Sequence, residues 1–240
     1  MSHNKKISAP LQIFLTGISI VLLLVGLLWI SKLVSHEDKK IHTSSNSDIT
    51  VIIDAGHGGE DGGASSADGI LEKDLNLSLS QKLYEIFSSA GISTVMTRNE
   101  DKLLYDTSEE YQGRKKILDM RERVKIVSDC ENPVFISIHM NSFPEEKYSG
   151  LQVYFSSNDP RSETLARGVQ NTVHNILQKE NKRKIKCGKD IFLLDRISDP
   201  AILIECGFLS NPTDAALLSD TEYQNELAVC IFLSVMREIQ

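Results

Sequence analysis

Cysteine is scarce: the 240 residues hold four, Cys130, Cys187, Cys206 and Cys230, with no C-x-x-C pair and no metal-type spacing. That pattern excludes a thiolate metal cluster, and small buried thiols are expected rather than disulfides. Positive charge is also in short supply, with 26 Lys and Arg against 33 Asp and Glu. Beyond residue 34, without Lys5, Lys6 and Lys32, the balance is 23 against 33, a formal charge of −10. Such a chain lacks the electrostatic footprint of a nucleic-acid binder and would not cling to anionic lipid by charge. Internal repeats are absent, which excludes solenoids and arrays. The length and an apolar content of 41% allow one ordinary α/β domain with an appendage.

What the chain does have, at residues 11–30, is a twenty-residue run without charge, LQIFLTGISIVLLLVGLLWI. As a helix rising about 1.5 Å per residue it spans about 30 Å, the thickness of a bilayer core. A cleaved signal peptide usually has a shorter apolar run ending in a small-x-small site. Here ISKLVSHED follows Trp29 instead. The run therefore predicts an uncleaved transmembrane anchor within residues 1–34. Lysines flank it on both sides, so the positive-inside rule leaves orientation undecided. The wholly basic short tail is assigned to the cytoplasm and the remaining chain to the extracytoplasmic side.

Residues 35–48, SHEDKKIHTSSNSD, read as a polar linker. Its reach is about 20 Å as a coil and about 50 Å at most, so the following domain, residues 49–240, must work close to its membrane. In that domain short β-branched runs alternate with amphipathic stretches. Strands are predicted at 50–54, 92–97, 134–139, 151–155 and 201–205, with a weaker sixth at 191–194. Leu75, Leu79, Leu83, Ile86 and Phe87 recur at helical spacing, with Gly91 as a terminal cap. Further helices fit 120–128, 162–179 and 222–238. The expected fold is a single α/β domain with a central, mostly parallel twisted sheet of about six strands flanked by helices, preceded by one transmembrane helix. The charged stretch 99–119 has no period and is read as a rim over the site.

Three polar signals fall where candidate strands end: DAGHGGEDGG at 54–63, His139 and Asn141 in SIHMNS, and Glu205 in IECGFLSN. Ligands of open α/β sheets bind outside the carboxyl ends of strands, so these signals are expected to converge. Glu72 joins them from LEKDLN, at the head of the helix after the glycine loop. Two imidazoles and one carboxylate, His57, Glu72 and His139, leave the fourth position of a tetrahedral zinc open for water, as in catalytic sites. Each residue also has a plainer reading. His57 would cap a turn, Glu72 would answer the helix macrodipole, and His139 would be a satisfied core histidine. Convergence favours the metal, because His3, His36 and His42 lie in the tail or linker and His174 in a polar helix. Glu205 follows AILI, which desolvates its carboxylate and raises its pKa toward general-base duty; a buried acid in a salt bridge is the alternative.

DAGHGGEDGG, LEKDLN, the Thr97-Arg98 pair, RERV at 121–124, SIHMNS and ECGFLSNPTDAALL follow one another across residues 49–240. Together they resemble the zinc-dependent N-acetylmuramoyl-L-alanine amidases. Within that family the chain is most similar to the CwlD group, the sporulation and germination-specific amidases, which have an N-terminal membrane segment and no separate wall-binding repeats. The resemblance implies zinc on His57, Glu72 and His139, with Glu205 as the catalytic carboxylate. The substrate implied is peptidoglycan, cut between the lactyl group of N-acetylmuramic acid and L-alanine. In spore cortex this would be the first step toward muramic-δ-lactam. Two positions depart from the family pattern: Ala55 stands where proline is common, and Cys206 where valine is frequent.

Arg98, Arg123 and Asn141 are candidate donors to substrate carbonyls and carboxylates, although solvation or internal salt bridges explain the arginines equally well. Asp54 is a candidate outer partner of His57. A zinc peptidase acting within the stem peptide would use the same metal and carboxylate. A membrane-tethered wall-binding scaffold would need neither, and retention of all four residues argues against it. Expected partners are peptidoglycan, the membrane and an accessory protein; nucleic acid is excluded.

Overall fold

Among the described residues six strands make one sheet: β1 (Thr50–Ala55), β2 (Ser93–Met96), β3 (Pro133–Asn141), β4 (Gln152–Phe155), β5 (Lys186–Cys187) and β6 (Ala201–Phe208). The computed structural model describes residues 49–105 and 115–239. The apolar run at 11–30 and the linker at 35–48 lie outside the described residues. Among the described residues no helix is long and apolar enough to cross a membrane.

The strand order is β2-β1-β3-β6-β4-β5. β2, β1, β3 and β6 run parallel, whereas β4 is antiparallel to β6 and β5 parallel to β4. The sheet is therefore mixed, not mostly parallel as expected. The reason is loop length: ten residues separate Asn141 from Gln152. A parallel return needs a crossover of a dozen or more residues, so the chain turns straight back into β4.

Helices cover both faces: α1 (Glu72–Ser89), α2 (Lys115–Ser128), α3 (Arg161–Ile176), α4 (Phe192–Arg196), α5 (Pro212–Ser219) and α6 (Thr221–Ile239). Val51 and Ile53 of β1 join Leu79, Leu83, Phe87, Val169 and Leu227 in one core, against α1, α3 and α6. Ile52, between them, faces the other way into a smaller core with Phe135, Leu203, Val127 and Leu193, against α2 and α4. Leu79, Leu83 and Phe87 are fully buried, and each contributes roughly 1.5–3 kcal/mol of burial energy. Gly91 follows α1 with φ +77°, as expected of a glycine ending a helix.

Three boundaries depart from the sequence reading. Residues 191–194 do not form a strand, because 192–196 is the short helix α4, with Leu193 and Leu194 buried. A four-residue apolar run carries no periodicity to separate strand from helix. The sixth strand is instead the two-residue β5, whose exposed Lys186 makes a charged sheet edge. In the 99–119 stretch, 106–114 lie outside the described residues and 115–119 already belong to α2.

The alternation that builds the smaller core also builds the site. On that face β1 runs Ile52 then Asp54, β3 runs Phe135, Ser137, His139, and β6 runs Ala201, Leu203, Glu205. Side chains of one face recur every second residue, so the apolar row gives way to polar groups at the carboxyl ends of three adjacent strands.

Candidate metal centre and active site

His57 sits on the loop that leaves β1, with a left-handed backbone at φ +61°. A non-glycine residue there carries strain of roughly 1–3 kcal/mol and persists only where its surroundings over-determine it. Here they do. Gly56 N–H donates to Ile138 O at 3.1 Å, and Gly58 and Asp61 exchange backbone hydrogen bonds at 3.0 Å. Arg98 donates to Ala55 O and Gly56 O at 2.9 Å, and Arg123 donates to Ala55 O and His57 O at 2.8 Å. The glycines give room: a Cβ on Gly56 would lie 2.3 Å from the His139 ring, and one on Gly63 would lie 2.5 Å from Glu72 Oε2.

Glu72, the first residue of α1, points its carboxylate between the two imidazoles. Its Oε1 is 2.9 Å from His139 Nδ1 and 3.1 Å from His57 Nε2. Met140 N–H and Asn76 Nδ2 also donate to Oε1, while Ala64 N–H donates to Oε2. Burial alone would push this carboxyl up, but the hydrogen bonds and charges of His139 and His57 hold it well below the usual carboxylate range. Burial likewise opposes charge on His57, yet the carboxylates of Glu72 and Asp61 outweigh it and raise the imidazole pKa. Asp61 Oδ2 lies 2.9 Å from His57 Nδ1. That is an ion-pair distance, though the alignment is not that of a hydrogen bond, for Nδ1 has no hydrogen-bond partner.

Among the described residues, His57, Glu72 and His139 form the cluster with metal-ligand chemistry, their ligand atoms all within 4.8 Å of one another. Two ring nitrogens and one carboxylate oxygen fit a borderline-soft divalent ion. Bonds of about 2.0–2.2 Å around a tetrahedral zinc place neighbouring donors roughly 3.3 Å apart, close to the separations above.

Glu205 is the cross-strand neighbour of His139 in β6. Its Oε2 is sealed from solvent and has no hydrogen-bond partner. Burial pushes its pKa up to about 7, with Glu72 adding to the rise and His139 and His57 opposing it. A buried carboxylate that no protein group satisfies is the mark of one kept for an incoming polar group. In front of the site lies a cleft of about 140 Å³, lined among others by His57, His139, Arg123, Met120 and Phe192.

The arginines turn out to serve the scaffold. Arg98 and Arg123 are 1% and 2% exposed. Arg98 also donates to Lys73 O and Glu100 O, and Arg123 also pairs with Asp54 and Asp119. Each thus has four of its five N–H donors engaged inside the protein, and the internal salt-bridge reading of Arg123 replaces the substrate one. Asp54 makes no hydrogen bond to the His57 ring, whose neighbours are Asp61 and Glu72. Its carboxylate accepts from Thr97 Oγ1, Ser137 Oγ and Arg123 Nη1. Although burial opposes it, Arg123 with these hydrogen bonds holds Asp54 below the usual range. Asn141 ends β3 past a register shift, half-buried, with its carbonyl accepting Leu209 N–H.

Sequence reasoning missed Asp61, Asn76 and Asp119. Asn76 donates to Gly56 O as well as to Glu72, tying α1 to the loop. Two signals were available: Asp119 precedes Arg123, and Glu72 precedes Asn76, by the four residues that bring helical side chains together.

A family model described as N-acetylmuramoyl-L-alanine amidase matches residues 51–237. The germination-specific N-acetylmuramoyl-L-alanine amidase of Bacillus subtilis is 35% identical over 187 residues, 78% of each chain. Among solved structures, the CwlD amidase from Clostridioides difficile, in complex with the GerS lipoprotein, is 36% identical. Its TM-score is 0.74 over 79% of this chain and 97% of that one. The amidase AmiC2 of Nostoc punctiforme is 31% identical, with a TM-score of 0.66 over 79% and 96% of the two chains. With His57, Glu72, His139 and Glu205 gathered at the carboxyl ends of its strands, this chain belongs to the N-acetylmuramoyl-L-alanine amidase family.

Proposed function

We propose that the chain is a zinc-dependent N-acetylmuramoyl-L-alanine amidase with His57, Glu72 and His139 as metal ligands and Glu205 as the catalytic base. The observation that carries this reading is the unpartnered, buried Oε2 of Glu205, one strand away from the His139 ligand. Zinc in such a site lowers the pKa of water and polarises the amide carbonyl. Glu205 takes the proton of the attacking water and returns it to the L-alanine nitrogen as the C–N bond breaks. The products are a lactyl carboxylate on the muramic acid and a stem peptide with a free amino terminus. Asn141, at the end of β3, is the candidate donor to the substrate.

The likeness to germination-specific and CwlD amidases supports spore-cortex peptidoglycan as the substrate, stripped of peptide ahead of muramic-δ-lactam formation. The complex of the CwlD amidase with a lipoprotein supports an accessory lipoprotein here as well. The charge-free run at 11–30 supports a membrane anchor, with the linker at 35–48 holding the catalytic domain on the wall side.

The test is zinc content and peptide release from purified peptidoglycan, for the parent and Glu205→Ala. The reading expects one zinc in both, with new L-alanine amino termini from the parent only. New amino termini within the stem peptide would make it a peptidase instead. Normal muramic-δ-lactam in spores lacking the protein would overturn the cortex role.

A further inference from the structure

The acidic domain contains one strongly basic segment. Residues 179–186, KENKRKIK, carry Lys179, Lys182, Arg183, Lys184 and Lys186 against Glu180 alone. Arg183 is the member held in place. Its guanidinium carbon lies 4.4 Å from the Phe208 ring centre and 5.8 Å from that of Tyr148. Its Nε donates to Ser149 O at 2.8 Å and its Nη1 to Gln152 Oε1 at 3.3 Å. Among the described residues no carboxylate lies within ion-pair distance of it and no hydrogen bond leaves its Nη2, although the charge of Arg183 reaches Asp214, which lines the same groove. Arg98 and Arg123 are consumed by backbone and acids, whereas Arg183 keeps part of a planar donor fork unspent.

Its position matters as much as its freedom. Gln152 is the β4 partner of Glu205, and Glu205 the β6 partner of His139. Strands lie about 4.8 Å apart, so His139, Glu205 and Gln152 form a row roughly 10 Å long, with Arg183 at its far end. An extended peptide advances about 3.3–3.6 Å per residue, so a carboxylate two residues beyond the scissile amide lies about 7 Å on, within that reach. Arg183 also lines a groove of about 890 Å³ with Lys147, Lys179 and Lys182, four cations against Glu180 and Asp214, so the balance there is positive. A guanidinium held by rings and offering parallel N–H groups suits a carboxylate better than a flexible ammonium does.

We propose that Arg183 binds a free carboxylate of the stem peptide close to the scissile amide, and so makes the site prefer acidic stems over amidated ones. This rests on the amidase reading above. The experiment is calorimetric binding to the zinc-loaded full chain carrying Glu205→Gln, which keeps the ligand intact, with and without Arg183→Gln. The probes are a soluble N-acetylmuramyl tripeptide with free carboxylates and its carboxamide counterpart. A charge-assisted pair predicts that Arg183→Gln weakens the free acid by about 10- to 100-fold and the carboxamide by less than about threefold. Arg183→Lys should fall in between. Equal losses on both ligands would assign Arg183 to propping Phe208 and Tyr148, and no loss on either would remove it from recognition; each overturns the proposal. If Arg183→Gln does not fold, the Glu205→Gln chain decides alone, because equal affinity for the two ligands overturns the proposal and a preference of about tenfold or more for the acid sustains it. The amidase reading stands or falls separately, on whether the parent creates L-alanine amino termini in peptidoglycan.

Discussion

Glu205 is a carboxyl group whose ionisation its surroundings oppose, and a general base works only when ionised. Activity is therefore expected to fall in acid, tenfold per pH unit once below the working midpoint, which lies at or under about 7 when a bound cation adds favourable charge. As the proposed base, Glu205 should be needed for turnover, and Glu205→Gln is expected to cost about 10²- to 10⁴-fold with zinc content unchanged. The same group makes a stability prediction. Its folded pKa is raised, so the neutral form is favoured in the fold and the penalty grows as pH rises from about 4.5 toward 7. In EDTA-treated protein, urea midpoints of parent and Glu205→Gln should coincide below about pH 4.5 and separate, with the variant more stable, at pH 7 and above. Coincidence across the whole range would mean that Glu205 is not buried as described. Gly56→Ala offers a steric counterpart. Its methyl would meet the His139 ring at 2.3 Å, so loss of zinc binding is expected, read by metal content after desalting.

Helix α2 and strand β1 meet through Arg123, which bridges Asp54 and Asp119 and holds His57 O. Breaking a buried pair strands a charge, and Arg123→Ala is expected to cost about 3–5 kcal/mol in denaturant unfolding. The sign with pH is opposite to that of Glu205. Asp54 has a depressed folded pKa, so its contribution is present above the ordinary carboxyl value and lost as pH falls through the folded one. The gap between parent and Arg123→Ala should therefore narrow in acid, and a gap that widened there would contradict the pairing. The Asp119–Arg123 half of this bridge, a four-residue helical spacing, was open to detection although the predicted helix at 120–128 starts one residue past Asp119. The Asp54 half was not, since its partner lies 69 residues away. The direction of β4 escaped for a similar reason: its run LQVYF was legible as a strand, but its direction depends on which neighbour it meets.

A metal on His57, Glu72 and His139 would join the β1 loop, the start of α1 and the end of β3, which no single element connects. Ligand binding to the folded state alone adds about 2.7 kcal/mol at one hundred times Kd. For a domain of this size that corresponds to roughly 5–10 °C in thermal midpoint. Chelation should lower the midpoint by that amount and zinc should restore it, while His57→Ala should not respond. A midpoint indifferent to chelator in protein that retains zinc would place the metal elsewhere.

The sequence by itself determined the α/β class, five of the six strands of the described residues, the four longest helices and the four polar residues that the fold brings together. These follow from local periodicity and from polar residues interrupting apolar runs at strand ends, which a linear reading can detect. Tertiary structure alone decided the mixed strand directions, the short helix at Phe192–Arg196 and the two-residue edge strand. It also turned Arg98 and Arg123 from candidate substrate ligands into clamps on the His57 loop, and set Arg183 at the end of the His139–Glu205–Gln152 row. In each case the deciding partner lies tens of residues away, and strand order and register bring it within reach.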